Sequence, residues 1–240
     1  MNQILVSEKV YVTPELKRKR KTYKVIFILC LVLIVILTGY YVLAEYDKSQ
    51  KEQISREILN QMNDSTTVED NFIVVALDEE PTDEEVPIVE LQTTTTTNEI
   101  DSEVTANGVS YQTEAILDYP KLGINYPVLS EESEDLLKVS LCKYWGPNPN
   151  KVGNYCIVGH NYLSGKMFGK LSSAEIGDEI NLTDLNNNTV TYVVYNRYVV
   201  EPTDVSCTSQ LTNGQREITL ITCTNYGKQR LVVKAREKQA

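Results

Sequence analysis

The sequence predicts an all-β domain held at a membrane by an N-terminal helix, and three observations predict it. From about residue 107 onward, short runs rich in Val, Ile, Thr and Tyr alternate with Gly, Pro and Asn punctuation. Residues 25–44 carry no charge at all. Between these parts lies an acidic, threonine-rich stretch without a glycine. The expected organisation is a basic tail over 1–24, a transmembrane helix over 25–44, an extended stalk over 45–106 and a β domain over 107–240.

The transmembrane reading follows from length. About 20 apolar residues, at about 1.5 Å of rise each, span the roughly 30 Å hydrocarbon core of a bilayer. Tyr40 and Tyr41 stand near the end of the stretch, where interfacial aromatics belong, and Lys17-Arg18-Lys19-Arg20-Lys21 precedes it. Basic residues on that side predict a cytoplasmic N-terminus, a single pass and an extracellular remainder. Val42 and Ala44 before Glu45 offer a cleavage-like site. The apolar stretch is longer than a secretory core segment of roughly 7–15 residues, so an uncleaved anchor is expected.

The stalk contains Asp78-Glu79-Glu80, Asp83-Glu84-Glu85 and five threonines over 93–97, a composition that does not bury a core. Residues 50–62 are the exception, because Ile54, Ile58 and Leu59 fall at helical spacing. Beyond them disorder is expected, with one competing strand candidate at 72–77. A formal net charge of -10 repels phosphate backbones and excludes nucleic acid as a partner.

Within the β domain, strands are predicted at 110–117, 124–129, 154–158, 179–182, 189–200, 217–223 and 229–236, with a helix over 131–141 capped by Ser130. About 130 residues suffice for one core, and closure into a barrel removes exposed edges. Strand parity then makes a specific statement. If Ile218, Leu220, Leu231 and Val233 face the core, Cys223 and Arg230 both face outward. The connection Thr224-Asn225-Tyr226-Gly227-Lys228 is short enough to make the two strands an antiparallel pair.

A cysteine nucleophile acts as thiolate, and a free thiol of pKa about 8.5 is only slightly ionised at neutral pH. It needs a base or a cation, and the chain has one histidine, His160. Arg230 stays protonated, so it donates hydrogen bonds to a carbonyl or an oxyanion and takes no part in proton transfer. Cys223, His160 and Arg230 together suit acyl transfer through a thioester.

These residues resemble the sortases, membrane-anchored bacterial cysteine transpeptidases, over roughly residues 114–237. Gly153-Asn154-Tyr155-Cys156-Ile157-Val158-Gly159-His160-Asn161 is similar to the segment that ends in the sortase histidine. Thr219-Leu220-Ile221-Thr222-Cys223 resembles the Thr-Leu-x-Thr-Cys strand, and Arg230 falls where the family's arginine follows. Met167-Phe168-Gly169-Lys170-Leu171 and Gly177-Asp178-Glu179-Ile180 resemble the stretch between histidine and cysteine. The resemblance implies a closed eight-stranded β-barrel with one or two short helices and no cofactor. It implies catalytic roles for His160, Cys223 and Arg230, with Thr222 and Thr224 touching substrate or tuning the thiol. It further implies cleavage of a Leu-Pro-x-Thr-Gly-like sorting signal on surface proteins between Thr and Gly. The acyl group then passes to an amine of a peptidoglycan precursor or a pilin lysine, with slow hydrolysis on the side. Cys-Thr-Asn-Tyr-Gly is similar to the Cys-Thr-Pro-Tyr-Gly of pilin-polymerising enzymes, with Asn225 in place of proline. No C-terminal membrane segment follows residue 236, so a housekeeping-like or class D/E-like member is the expectation.

Two other classes compete. An L,D-transpeptidase places Ser-x-Gly-Cys around its nucleophile, and Leu220-Ile221-Thr222-Cys223 lacks that glycine. A non-enzymatic adhesin or receptor head would make the cysteines structural. Cys142, Cys156 and Cys207 are open between one disulfide and free thiols, with Cys156 expected to be buried. No metal site is expected, Glu175 and Asp178 reading as a solvated acidic loop.

Overall fold

The computed structural model describes residues 14–64 and 102–239. The first 13 residues of the tail, and residues 65–101 with the acidic runs, the threonine run and the strand candidate, lie outside the described residues. The chain divides into two units, Met1–Ser49 and Gln50–Ala240. Helix α1 is Pro14–Asp64. Its apolar residues in the first unit, Val25, Phe27, Leu33 and Leu43 among them, are exposed. This helix is long and apolar enough to cross a membrane.

Among the described residues the second unit has nine strands: β1 (Glu103–Ala106), β2 (Val109–Tyr119), β3 (Ile124–Leu129), β4 (Leu141–Trp145), β5 (Gly153–Val158), β6 (Glu179–Asp184), β7 (Thr189–Val200), β8 (Arg216–Thr224) and β9 (Gln229–Glu237). Their order is β1-β2-β3-β4-β5-β8-β9-β7-β6, and β6 pairs back onto β2. Strands β2 to β9 thus form a closed eight-stranded barrel, with β1 as an added strand along β2. Only β3–β4 and β5–β8 are parallel pairs. Closure leaves no open edge among the eight, which accounts for how a chain dense in β-branched residues avoids edge pairing.

Three local expectations are corrected. The helix over 131–141 is shorter: α2 is Glu134–Val139, and Ser133 rather than Ser130 caps it, accepting from the Leu136 N–H at 3.2 Å. Leu141 opens strand β4 instead of extending the helix, because Ser140 is already extended (φ -152°, ψ -170°). Glu103–Ala106, assigned to the stalk, is a strand held in register by β2. Residues 50–64 likewise belong to the folded unit: Ile54, Ile58, Leu59 and Met62 are buried in one apolar cluster with Val104, Ala106 and Tyr111. Their spacing puts one helix face on the barrel, and burial of that face fixes it.

The barrel interior is filled from every strand. Tyr119, Tyr155, Tyr192 and Phe168 are its largest fully buried side chains, packed with Leu117, Leu182, Ile218 and Leu220. Ile218, Leu220, Leu231 and Val233 all belong to this cluster, as strand parity required. The opposite face of β8 and β9 is not bare. Ile221 and Val232 lie with Cys156 and Cys207 in a second apolar cluster, covered by Tyr198 and Val200 of β7.

Glu217, at the start of β8, is the polar anchor of the outer wall. Its carboxylate is nearly buried and accepts from Arg236 at 3.1 and 2.9 Å and from the Tyr195 hydroxyl at 2.8 Å, with Lys234 at 3.6 Å. Removing one member of a buried charge network costs several kcal/mol, less where a partner reaches water, as Arg236 does. Glu217→Gln is therefore expected to lower unfolding stability by roughly 2 kcal/mol in urea titrations. It should leave the reactivity of Cys223, at the far end of the strand, unchanged.

Candidate active site

The site follows from the neighbours of β8. On one side β9 runs antiparallel, and the register places Cys223 directly opposite Arg230. On the other side β5 runs parallel, with Val158 beside Ile221. Continuing that register by two residues brings Gly159 beside Thr222 and His160 beside Cys223. Two hydrogen bonds hold this continuation: Gly159 N–H to Ile221 O at 3.2 Å, and Thr222 Oγ1 to Gly159 O at 2.7 Å. Adjacent strands are about 4.8 Å apart, so imidazole, thiol and guanidinium leave three neighbouring strands on one face within about 10 Å.

The three side chains line one cavity of about 250 Å³. Its walls are apolar in the main, with Leu137 of α2, Val158, Ile221 and Val200 around the polar groups. The segment between β7 and β8 supplies the far wall through Pro202 and Val205. Glu132 and Asp204 are the acidic residues at the cavity. Within the β7–β8 segment the apolar Val205 and Pro202 are the sequence signal that it packs at the cavity.

His160 is half-buried and follows a residue that has no room for a side chain. A Cβ on Gly159 would overlap Leu141 Cδ2 and the Phe168 ring. The backbone after His160 is closed by the Met-Phe-Gly-Lys-Leu segment: Phe168 N–H donates to His160 O at 3.0 Å, and Met167, Phe168 and Leu171 plug the barrel end. Asn161, which sequence reasoning did not single out, donates from Nδ2 to the Cys223 carbonyl at 2.9 Å. It ties the histidine loop to β8 a second time. The Tyr162 ring stands 5.3 Å from the imidazole, tilted by 55°. Burial holds His160 below the ordinary value of 6.5, and the Lys138 ammonium pushes in the same direction.

Arg230 is half-buried and donates through Nη1 to Gly227 O at 3.0 Å and Gln229 O at 3.2 Å. These bonds fix the guanidinium at the end of the β8–β9 turn. Among the described residues Nε and Nη2 have no acceptor, so those donors remain available. Thr222 and Thr224 separate. Thr222 is buried, and its hydroxyl is committed to Gly159 O, so it locks strand register at the cavity wall. Thr224 pairs with Gln229 beyond the cavity and does not line it.

The remaining thiols are distinguished by burial. All five cysteines are free. Cys142 and Cys156 are fully buried, and desolvation pushes both thiols up to about 12; burial raises Cys207 as well. Cys223 is the partly exposed one in the second unit. Glu175 and Asp178, weighed above as cation ligands, are both engaged by the Lys121 ammonium, and Tyr119 donates to Asp178 at 2.6 Å.

The arrangement is an eight-stranded barrel with a cysteine, a histidine and an arginine opening on one cavity. The profile of the Sortase domain matches residues 117–238, just over half of the chain, and the protein belongs to the sortase family, a family of cysteine transpeptidases. Among solved structures, sortase A from Corynebacterium diphtheriae is 25% identical with a TM-score of 0.50, covering 54% of this chain and 62% of its own. A lid mutant of that enzyme is 24% identical at a TM-score of 0.50, over 55% and 73%. A Clostridium perfringens sortase D5 transpeptidase is 25% identical at a TM-score of 0.48, over 53% and 80%. No curated protein matches the chain. Family membership sets aside the L,D-transpeptidase and adhesin readings.

Two outcomes follow. Thr222→Val keeps the shape and removes the bond to Gly159, so stability should drop by about 1–2 kcal/mol and Cys223 should alkylate more slowly as His160 loosens. The His160 pKa is depressed on folding, so its contribution to stability is complete above pH 6.5 and is lost as pH falls through that value. Chemical unfolding from about pH 7.5 to about 5 should show a His160-dependent loss of stability, flattened in His160→Gln.

Proposed function

We propose that this sortase cleaves a Leu-Pro-x-Thr-Gly-like sorting signal between Thr and Gly and transfers the threonyl carbonyl to an amine. Cys223 is the nucleophile, His160 the acid and base, and Arg230 the donor to the reacting carbonyl. The observation that carries the reading is the placement of Cys223 between His160 on the β5 side and Arg230 across β9, all opening on one cavity.

The steps follow from the groups. With His160 held below 6.5, the resting imidazole is mostly neutral at pH 7, and the thiol proton passes to it as sulfur attacks. A C–S bond forms, and the carbonyl oxygen becomes an oxyanion within reach of the Arg230 guanidinium. Collapse breaks the C–N bond, and the imidazolium gives its proton to the leaving glycine amine. The thioester remains on Cys223. An incoming amine of a peptidoglycan precursor or a pilin lysine then loses its proton to His160, attacks the thioester carbonyl and releases the thiol. Water in the amine's place gives hydrolysis. The apolar walls from Leu137, Val205 and Ile221 suit the Leu and Pro of a signal peptide, which bury well and need few hydrogen bonds.

Residues 25–44 anchor the protein in the cell membrane with the N-terminus in the cytoplasm, the basic run on that side supporting this orientation. The catalytic unit is then extracellular, where surface proteins bearing the signal and the amine acceptors are found.

The test is incubation of the full-length chain in detergent with Leu-Pro-x-Thr-Gly peptide variants and an amine, followed by intact-mass spectrometry. A thioester adduct on Cys223 and an amine-ligated product are expected, both absent from Cys223→Ala. Arg230→Ala should lower kcat/KM by about 10²-fold or more while Cys223 remains alkylatable. An adduct on another residue, or none with any variant peptide, contradicts the reading.

A further inference from the structure

The catalytic cavity has a wall that cannot hold itself in place. Helix α2 is six residues long, and a helix of that length has negligible stability alone. One side of α2 serves the site: Leu137 lines the cavity, and the Lys138 ammonium acts on His160. The same short helix also packs on the apolar cluster that holds Ile54, Ile58 and Met62 of α1. Ile58 and Met62 are fully buried in the cluster that contains Val139, with Leu136 and Leu137 packed on it. Ser55 Oγ donates to Ser140 Oγ at 3.2 Å, and Ser140 Oγ donates to Pro127 O at 2.6 Å. Ser55 and Ser140 are both fully buried, and Ser140 is the residue that closes α2. Within α2, Lys138 donates to Asp135 at 2.8 Å.

We propose that the face of α1 carrying Ser55 and Ile58 clamps α2 from behind, and that Ser55 is a positioning residue that sets the cavity wall and the distance from α2 to His160. The proposal deepens the function given above and rests on it for the substrate arm of its test. A buried hydroxyl bridge between α1 and the end of α2 specifies one placement, where apolar contact alone tolerates sliding. The charged and titratable groups around His160 are Lys138 from α2, Glu132 from the segment before it, Tyr144 of β4, Tyr162 after the histidine, Asp204 and Cys207 from the β7–β8 connection, and Cys223 and Arg230 from the barrel. If α2 drifts outward, the imidazole is less buried and Lys138 recedes, and both changes let it regain protons at higher pH.

The experiment compares full-length wild type, Ser55→Ala, Ile58→Val and Arg56→Ala in detergent. Arg56 is the control on the same helix: it stacks on Tyr126 at 4.8 Å and donates to Asn125 O at 3.0 Å, gripping β3 rather than α2. His160 is the only histidine, so its imidazole proton resonances report one titration without assignment. In Ser55→Ala the His160 pKa should rise and the KM for a signal peptide should increase about threefold to tenfold, with kcat within about twofold. Ile58→Val should move both in the same direction by less, and serves if Ser55→Ala does not fold. Arg56→Ala should lower the melting temperature while leaving the titration and KM at wild-type values. Folded Ser55→Ala and Ile58→Val with unchanged His160 titration overturn the proposal, because α1 then contributes only stability. If wild type transfers no acyl group, the function fails separately, and the titration arm alone decides the role of α1.

Discussion

The pairing of β8 with two different strands is the constraint on which the rest of the molecule depends. A parallel neighbour on one side and an antiparallel neighbour on the other bring a strand end and a strand start to the same point beside Cys223. His160 arrives just after β5 ends, and Arg230 just as β9 begins. A slip of one residue in either pairing would turn an outward side chain into the core and separate the three groups. The structure resists that slip from both faces. Ile218, Leu220, Leu231 and Val233 are interlocked inside the barrel, while Ile221 and Val232 are covered outside by β7. Thr222 and Asn161 add polar locks on the β5 side.

Burial then divides the chemistry. Thiols set into apolar clusters are held protonated, as Cys142 and Cys156 are, and take no part in nucleophilic chemistry. Cys223 lies near the end of β8, partly open, with His160 and Arg230 at the same cavity. The same geometry explains the cavity. Residues of the sheet, of α2 and of the β7–β8 connection line it, so its polar groups stand in a largely apolar enclosure. Residues 50–64 close the back of α2, and the folded unit therefore begins at Gln50 rather than near residue 107.

Much of this was legible in the sequence because it is local. Alternation over 217–223 and 229–236 set the inward face, and the five-residue turn set the antiparallel pairing, so Cys223 and Arg230 on one face needed no tertiary information. The helical spacing of Ile54, Ile58 and Leu59 was visible too, but not what the stripe packs against. Strand β4 was hidden because Leu136, Leu137 and Leu141 fit helical spacing, and only the extended backbone of Ser140 breaks the run. Strand β1 was hidden by the acidic composition that precedes it. The parallel alignment of β5 with β8 joins residues about sixty positions apart, and no local pattern encodes it; the family motifs ending in His160 and Cys223 stood in for that contact. Thr222 was placed at the site for its position beside the nucleophile, whereas its hydroxyl proves to serve the backbone.

The central claim is that one thiol is activated by a single histidine held beside it on the neighbouring strand. Iodoacetamide labelling of the native full-length chain, mapped by peptide mass spectrometry, tests it most directly. In the folded unit the account predicts modification at Cys223, with Cys142, Cys156 and Cys207 protected, and a markedly slower rate at Cys223 in His160→Ala. Equal labelling of the four cysteines, or a Cys223 rate indifferent to His160, would contradict it.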